Sequence, residues 1–320
     1  MNFFGFIGGL SFFLFGMNIM ETGLKRLSGN KIKNIIKSVS GNPIKGVFLG
    51  TVITAAVQSS SAVTVSLIGM AEAELLSLSG AVFIIMGANI GTSATAWIIS
   101  LSQLSGGSII LKTLNISTLC PVAGFIGVLF IILSKNNKRS NIGLILVGFS
   151  LLMSGIKSMS SAMENIVNLN YFNNIINIFN NPISGIVIGA VLSAVIQSSS
   201  ASIGILQSLS QTGSISVTAA VPIILGTNIG TCATAVLACV SGSSVSKKIC
   251  AFHIFFNLAG ALVWMAGFLI IKTFYDLNIN INPVGISALH TIFNISTTAI
   301  ILPVLILFKK LQSSSRIFTG

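Results

Sequence analysis

Residues 46–70, 80–111 and 113–134 form three long runs that contain no charged side chain. Each run is long enough to approach or cross the roughly 30 Å hydrocarbon core of a bilayer as an α-helix. Across the whole chain only 7% of the residues are charged, whereas soluble domains carry about 25%. The sequence therefore predicts an all-α integral membrane protein.

The remaining composition fits this class. The first apolar run, residues 3–20, has no basic residue before it and no A-x-A site after it, so we interpret it as a spanning helix and not as a signal peptide. The net charge of +12 comes from basic residues between apolar segments, which argues against nucleic-acid binding. The four cysteines lie in apolar runs and are predicted to be small buried side chains: Cys120, Cys232, Cys239 and Cys250.

Two polar motifs occur twice with one spacing. QSSSA at residues 58–62 recurs 139 residues later, at 197–201. GANIGTSATA at 87–96 recurs with the same offset as GTNIGTCATA at 226–235. A single offset kept over such a distance indicates an internal duplication. We predict one transmembrane transport domain over 1–320, with repeat one at 1–139 and repeat two, plus an extra C-terminal helix, at 140–320.

Helix length predicts a hairpin in each repeat. The apolar residues 46–57 precede the first QSSS, and a helix of that length reaches only roughly 18 Å. We therefore predict a re-entrant helical hairpin over residues 46–76 with QSSS at its tip, and the same hairpin at 185–211. The G-x-N-I-G-T segments, rich in glycine, are predicted to break the helix that follows. Spanning helices are expected at 79–101 and 117–133, and an interfacial amphipathic helix at 21–41.

Charge predicts the topology. Each repeat then crosses the membrane three times, and an odd number of crossings inverts the second repeat relative to the first. Of the 17 Lys and Arg residues, all but Lys112, Lys157 and Lys272 fall on one side in this arrangement. The positive-inside rule makes that side cytoplasmic, which places the N-terminus outside and the C-terminus in the cytoplasm.

Neutral groups dominate the predicted midplane site, since the five carboxylates fall at segment ends or in loops. The serine triplets precede the second arm of each hairpin, where free N–H groups and the helix dipole favour a tetrahedral anion such as phosphate or sulfate. The predicted anion-binding residues are Gln58, Ser59, Ser60, Ser61, Gln197, Ser198, Ser199 and Ser200.

The G-x-N-I-G-T segments offer oxygen ligands that suit Na⁺. The predicted ligands are Asn89, Thr92, Thr95, Asn228, Thr231 and Thr234, together with backbone carbonyls freed by the glycines. Two other readings stay open at this point. Ser, Thr and Gly also serve close helix packing in membranes. His253 and His290, each in an H-x-x-F-N string, are either packing residues or proton carriers. No nucleophile-elbow pattern or intramembrane acid supports an enzyme.

The paired QSSSA and N-I-G-T motifs, followed by H-x-x-F-N, resemble the type II sodium–phosphate cotransporter family, in particular its bacterial branch. The resemblance implies sodium-coupled transport of inorganic phosphate, no cofactor beyond Na⁺, a homodimer and a bacterial inner-membrane location. By matching position it assigns phosphate contacts to the two QSSS segments. It assigns sodium contacts to Gln197, Ser198, Thr227, Asn228, Thr231 and Thr234, with Asn89, Thr92 and Thr95 as the repeat-one equivalents.

One element departs from the family pattern. Animal members carry H-D-x-F-N after the first N-I-G-T, whereas this chain reads NISTLCP at residues 115–121. The departure affects one sodium site and hence the number of ions expected per phosphate. Two rival functions are a transporter of another oxyanion or an organophosphate, and a membrane sensor or scaffold in phosphate regulation that transports nothing.

Overall fold

The computed structural model of the chain describes residues 2–28, 36, 42–102, 116–167 and 181–317. These residues form helices without a β-strand, apart from one isolated bridge between Ser216 and Asn280. The helices are α1 (Asn2–Ser28), α2 (Pro43–Val57), α3 (Ser60–Glu72), α4 (Leu78–Ser102), α5 (Ile116–Leu133), α6 (Asn137–Val167), α7 (Pro182–Ile196), α8 (Ser199–Ser210), α9 (Val217–Cys239), α10 (Ser244–Phe274) and α11 (Pro283–Ile317). The all-α prediction is confirmed.

Six of these helices are long and apolar enough to cross a membrane: α1, α4, α6, α9, α10 and α11. Residues Leu119–Leu133 of α5 form a shorter apolar helix, as do α2 and α7. Large hydrophobic side chains such as Phe4, Ile132 and Phe274 are exposed on the outer surface, where lipid tails replace water as the favourable solvent. The chain is therefore a multi-pass membrane protein.

The first helix is longer than the sequence predicted. We expected it to end near Met20 and an interfacial helix to begin at Glu21, but α1 continues to Ser28. Gly23 explains the continuation, because a Cβ there would lie 2.7 Å from the carbonyl oxygen of Asn141, so this turn still packs tightly against α6. Residues 29–35 and 37–41 of the predicted interfacial helix lie outside the described residues.

Helices α1 and α6 pack against each other through glycines. A Cβ on Gly9 would lie 2.9 Å from the carbonyl oxygen of Gly155, and one on Gly16 would lie 2.6 Å from that of Gly148. The residue numbers of the contacts decrease along α6 as they increase along α1, so the two helices are antiparallel. Gly148 and Gly155 are also the counterparts of Gly9 and Gly16 at the 139-residue offset. The contact is reciprocal, as in an interface between two equivalent units.

The predicted helical interruptions at QSSS are confirmed. Helix α2 ends at Val57 and α3 begins at Ser60, while α7 ends at Ile196 and α8 begins at Ser199. The first arms, α2 and α7, contain 15 residues each, which gives about 22 Å of helix against a hydrocarbon core of roughly 30 Å. In each hairpin the first arm packs mainly against the following long helix, α4 or α9.

The predicted break at G-x-N-I-G-T is wrong, because α4 and α9 are continuous through both segments. The glycines serve close packing instead. A Cβ on Gly91 would lie 2.5 Å from the carbonyl oxygen of Thr51, and one on Gly87 would overlap that of Val47. Gly226 and Gly230 meet α7 in the same way. Small residues permit this approach between helix backbones in membranes without any loss of helical hydrogen bonds.

Candidate functional site

The two hairpin tips share one backbone conformation. Gln58 and Gln197, directly after the first arms, adopt left-handed φ/ψ angles of 61°/21° and 58°/27°. Only one other non-glycine residue of the described chain, Glu74, has a positive φ. A side chain in this region costs of order 1–2 kcal/mol, a cost that glycine avoids. The presence of glutamine at both positions indicates that the side chain is needed there.

A serine caps the second arm of each hairpin. Ser59 and Ser198 have extended backbones, and their Oγ atoms accept hydrogen bonds from the N–H groups of Ala62 (3.4 Å) and Ala201 (3.2 Å). The Ser59 hydroxyl keeps its own proton for a ligand, whereas the Ser198 hydroxyl donates to the sulfur of Met17 at 4.0 Å. The N–H groups at the start of α3 and α8 have no partner within their helices, and the positive end of each helix dipole points out of the same turn.

The tips touch each other although they lie far apart in sequence. The Ser61 hydroxyl donates a hydrogen bond to the carbonyl oxygen of Gln197 across 3.2 Å. Both tips line a single cavity of about 310 Å³. A water molecule occupies about 30 Å³ of liquid, so the cavity can hold a tetrahedral anion together with several waters. The sequence-predicted convergence of the two serine motifs is thus found in the geometry.

Six of the eight predicted anion-binding residues line this cavity: Ser59, Ser60, Ser61, Gln197, Ser198 and Ser200. Gln58 and Ser199 do not. The Gln58 amide is folded back, with Nε2 bonded to the carbonyl oxygen of Ala55, and Ser199 is buried behind the tip. The two tips therefore differ, because Gln197 lines the cavity and is exposed, whereas Gln58, 139 positions earlier, is buried.

Helix α1 supplies a wall that sequence reasoning missed. Leu14, Met17, Asn18 and Glu21 line the cavity beside the serine tips. We had placed Glu21 at the end of a spanning segment, outside any site. A helical spacing of three or four residues puts these four side chains on one face, so their periodicity was a signal in the sequence. The predicted helix end at Met20 concealed it.

The predicted sodium ligands on α4 and α9 are not part of the cavity lining. Asn89, Thr92, Thr95, Thr227, Asn228, Thr231 and Thr234 are all buried, and none of them lines the cavity. Most bond to the preceding turn of their own helix. Asn89 and Asn228 donate to the carbonyl oxygens of Ile85 (3.0 Å) and Ile224 (3.1 Å). Because both helices are unbroken, the available ligands are side-chain oxygens and not freed carbonyls.

Two further hydroxyls join this buried layer from the first hairpin arms. Ser193 Oγ lies 3.0 Å from Thr231 Oγ1, just below the second tip. Its counterpart at the 139-residue offset, Thr54, lies near Gly91 and has a buried hydroxyl without a hydrogen-bonding partner, as has Thr95. Unpartnered buried oxygens cost free energy, so such groups invite a cation or a water. The repeat offset itself could have identified Thr54 and Ser193.

The other polar residues considered from the sequence lie apart from the cavity. His253 and His290 are buried in α10 and α11, and His290 Nε2 lies 3.2 Å from the Asn294 amide nitrogen. All four cysteines are free and buried, as predicted. The described residues contain no cluster of three or more His, Cys, Asp or Glu side chains that could hold a metal ion.

Comparison with known proteins identifies relatives over nearly the whole chain. The Na⁺/Pi-cotransporter family matches residues 12–161 and again residues 151–274. The "Uncharacterized protein YqeW" of Bacillus subtilis is 31% identical over 315 residues, which is 94% of each chain. The "Putative inorganic phosphate export protein YjbB" of Escherichia coli is 25% identical over 259 residues, 80% of this chain and 45% of YjbB.

A human protein matches a shorter stretch of the chain. "Sodium-dependent phosphate transport protein 2B" of Homo sapiens is 36% identical over 104 residues, 32% of this chain and 15% of that protein. No solved structure matches the chain. The two successive family matches run from residue 12 to residue 274 and include both serine tips. This chain therefore belongs to the Na⁺/Pi-cotransporter family.

Proposed function

We propose that this chain is a sodium-coupled transporter of inorganic phosphate that holds the anion between its two hairpin tips. The observation that carries the proposal is the single cavity lined by both serine motifs. Relatives named for phosphate export and for sodium-dependent phosphate transport support the same substrate. One of those names specifies export and the other does not specify a direction. The direction of net phosphate transport is therefore measured by flux under imposed gradients.

The tips provide donors that match a phosphate anion. Each second arm directs free N–H groups and the positive end of its dipole toward the cavity. The cap hydroxyl of Ser59 retains its proton, and that of Ser198 can exchange its 4.0 Å contact with the Met17 sulfur for a ligand oxygen. Helix N-termini bind phosphate and sulfate through these same groups. The donors come from two hairpins, so an anion bound between them would tie the two halves of the protein together.

Sodium is assigned to the buried hydroxyl layer directly behind each tip. In repeat two the ligands are Gln197, Ser198, Thr227, Asn228, Thr231 and Thr234, to which we add Ser193. In repeat one they are Asn89, Thr92 and Thr95, to which we add Thr54. A cation in this layer would sit close to the anion cavity and offset its charge, in a site that offers no arginine for the purpose. The enclosed hydroxyl pair of Ser193 and Thr231 supports this placement.

We also propose that the two repeats, residues 1–139 and 140–320, are inverted relative to each other and expose the cavity alternately to the two sides. Two observations support this. Equivalent helices α1 and α6 meet antiparallel through reciprocal glycine contacts. The equivalent residues Gln58 and Gln197 differ, one buried and one exposed, as expected of one half-cycle in which the repeats take unlike conformations.

The orientation and assembly of the protein remain proposals from the sequence. The distribution of basic residues favours an external N-terminus and a cytoplasmic C-terminus in the bacterial inner membrane. The family resemblance favours a homodimer. The orientation is tested by introducing a cysteine near each terminus and measuring its reaction with membrane-impermeant reagents. The mass of the purified protein in detergent tests the assembly.

The decisive experiment is labelled-phosphate flux in proteoliposomes. An inward Na⁺ gradient should drive accumulation of ³²P-phosphate, whereas equal K⁺ gradients and protein-free liposomes should not. Competition with sulfate, arsenate and glycerol phosphate separates phosphate from other oxyanions and organophosphates. Phosphate binding without flux under any gradient would favour the alternative role as a membrane sensor or scaffold and would reject the transporter.

A further inference from the structure

One acidic residue shares the cavity with the serine tips. Glu21 of α1 lines it, and its Oε2 lies 2.9 Å from the Nζ of Lys25, one helical turn away. The Glu21 side chain is 13% exposed and that of Lys25 is 43% exposed, so the carboxylate is the more buried member of the ion pair. The second carboxylate oxygen, Oε1, bonds to no other described residue. The cavity therefore contains a hydrogen-bond acceptor among its many donors.

Packing does not require an acid at this position. The residue 139 positions later is Ser160, on the equivalent helix α6. Ser160 is buried, and its hydroxyl lies 3.1 Å from the hydroxyl of Ser208. A short neutral side chain thus serves the same place in the other repeat. The carboxylate of Glu21 is a feature of one repeat only, and its exposure to the cavity points to a role toward the ligand.

Phosphate and sulfate differ in whether they carry a proton on oxygen, and a hydrogen-bond acceptor such as Glu21 Oε1 distinguishes the two. Near neutral pH inorganic phosphate carries at least one proton on oxygen, whereas sulfate carries none. An ionised carboxylate only accepts hydrogen bonds, so it can pair with a P–OH group but meets only acceptor oxygens on sulfate. Lys25 offsets the charge of the carboxylate, so a phosphate anion is not repelled outright.

On the basis of the proposed function, we infer that Glu21 is a specificity-determining residue of the phosphate site. Its Oε1 accepts a hydrogen bond from the P–OH group of phosphate, while the serine tips donate hydrogen bonds to the other phosphate oxygens. Sulfate would leave that acceptor facing another acceptor within a confined space. Sites built around a required hydrogen bond reject ligands that lack the matching group far more strongly than sites that select by size.

The test is competition in proteoliposomes that take up ³²P-phosphate. In the unmodified protein, sulfate in large excess should compete weakly and arsenate, which also carries a proton, should compete well. Glu21→Gln introduces an amide that can donate to sulfate. We expect the ratio of the half-inhibitory concentrations of sulfate and phosphate to fall by about tenfold or more, with the arsenate ratio nearly unchanged. Glu21→Ser, which copies the residue of repeat two, should act in the same direction.

Two controls separate the acceptor from the charge. Lys25→Met removes the ion pair but keeps the carboxylate, so uptake should weaken while the rejection of sulfate persists or increases. Glu74→Gln removes an exposed carboxylate outside the cavity and should change neither. An unchanged sulfate ratio in both Glu21 variants overturns the inference, as does a variant that alters only the Na⁺ requirement. Absence of phosphate uptake by the unmodified protein would instead reject the proposed function itself.

Discussion

Ser61 of the first hairpin donates its hydroxyl hydrogen bond to the backbone carbonyl of Gln197 in the second, at 3.2 Å. The pair joins residues 136 positions apart and lies on the wall of the cavity. Ser200 and Gln58 form the equivalent pair at the 139-residue offset. Among the described residues, no hydrogen bond joins these two. The contact is therefore one-sided, as expected if the tips must separate and re-form contacts when the protein changes conformation.

Cross-linking tests this contact. The double variant Ser61→Cys with Gln197→Cys should form a disulfide on mild oxidation. The disulfide is detected by inserting a protease site in the loop between α5 and α6, because the two fragments then stay linked after cleavage. Phosphate uptake should stop on oxidation and return on reduction, because the link prevents the tips from separating. The single variants are the controls, since the four native cysteines are buried. Failure to cross-link, or full uptake while linked, would contradict the proposed tip movement.

Ser60 and Ser199 form a matched pair for the anion site. They occupy equivalent positions in the repeats, but Ser60 lines the cavity whereas Ser199 is buried behind it. Ser60→Ala should raise the phosphate concentration for half-maximal uptake by about tenfold, the effect expected for a lost hydrogen bond to a charged ligand. Ser199→Ala should raise this phosphate concentration less, because Ser199 does not line the cavity. Equal, unchanged uptake in both variants would argue against phosphate at the tips.

Thr231 tests the assignment of sodium. Thr231→Val removes the hydroxyl that faces Ser193 and keeps the shape of the side chain. We expect the Na⁺ concentration for half-maximal phosphate uptake to rise by about tenfold, since each ligand lost to a cation costs roughly one charged hydrogen bond. Thr218→Val, at the start of the same helix, removes a buried hydroxyl that has no partner and should leave the Na⁺ dependence unaltered. A shift in both variants would indicate a general effect on α9.

Gly87 tests the revised role of the G-x-N-I-G-T segment. Gly87→Ala would place a methyl group against the carbonyl oxygen of Val47 and force α2 away from α4. Such overpacking costs about 1–3 kcal/mol, so the thermal unfolding temperature in detergent should fall. Gly8→Ala, which meets nothing within 4 Å, should be neutral or slightly stabilising because alanine favours the helix. A fully stable Gly87→Ala protein would contradict the close packing of α2 against α4 at this residue.

Glu72 connects the end of hairpin one to the start of α10. Its Oε1 accepts the backbone N–H of Ser243 at 3.0 Å, and this bond, with a second from the Ser246 side chain, lowers the pKa of Glu72 below its usual 4.5. A lowered pKa stabilises the folded state above the usual value, and that stability is lost as the pH falls through the folded pKa.

The Glu72→Gln variant should therefore unfold at a slightly lower temperature than the unmodified protein at neutral pH. The difference should vanish as the pH drops below 4.5. Thermal unfolding at a series of pH values measures it, and the effect should be small because the carboxylate is exposed to solvent. A difference that grows on acidification would have the wrong sign and would remove Glu72 from this role.

The serine tips illustrate what local sequence can predict. A polar QSSS inside an apolar run must interrupt a helix or cap one, and the short arm before it limits the depth of the first helix. Both inferences depend only on neighbours along the chain. The interruption is found in the structure, and the depth that the first arm reaches in the membrane stays a prediction. The glycines of G-x-N-I-G-T were harder, because glycine serves equally for a break and for close packing. Only the presence of the α2 and α7 backbones at contact distance selects packing.

The sequence alone determined that this chain is a helical membrane protein, that two polar motifs recur at a constant offset, and that the QSSS motifs lie at helix ends. Composition, periodicity and a constant offset carry that information without reference to distant residues. The tertiary structure decided which residues share the cavity. Glu21 joins it and Ser199 is excluded, because side-chain direction at a site depends on how α1, α3 and α8 pack together. Those contacts link residues far apart in the chain, and no local pattern specifies them.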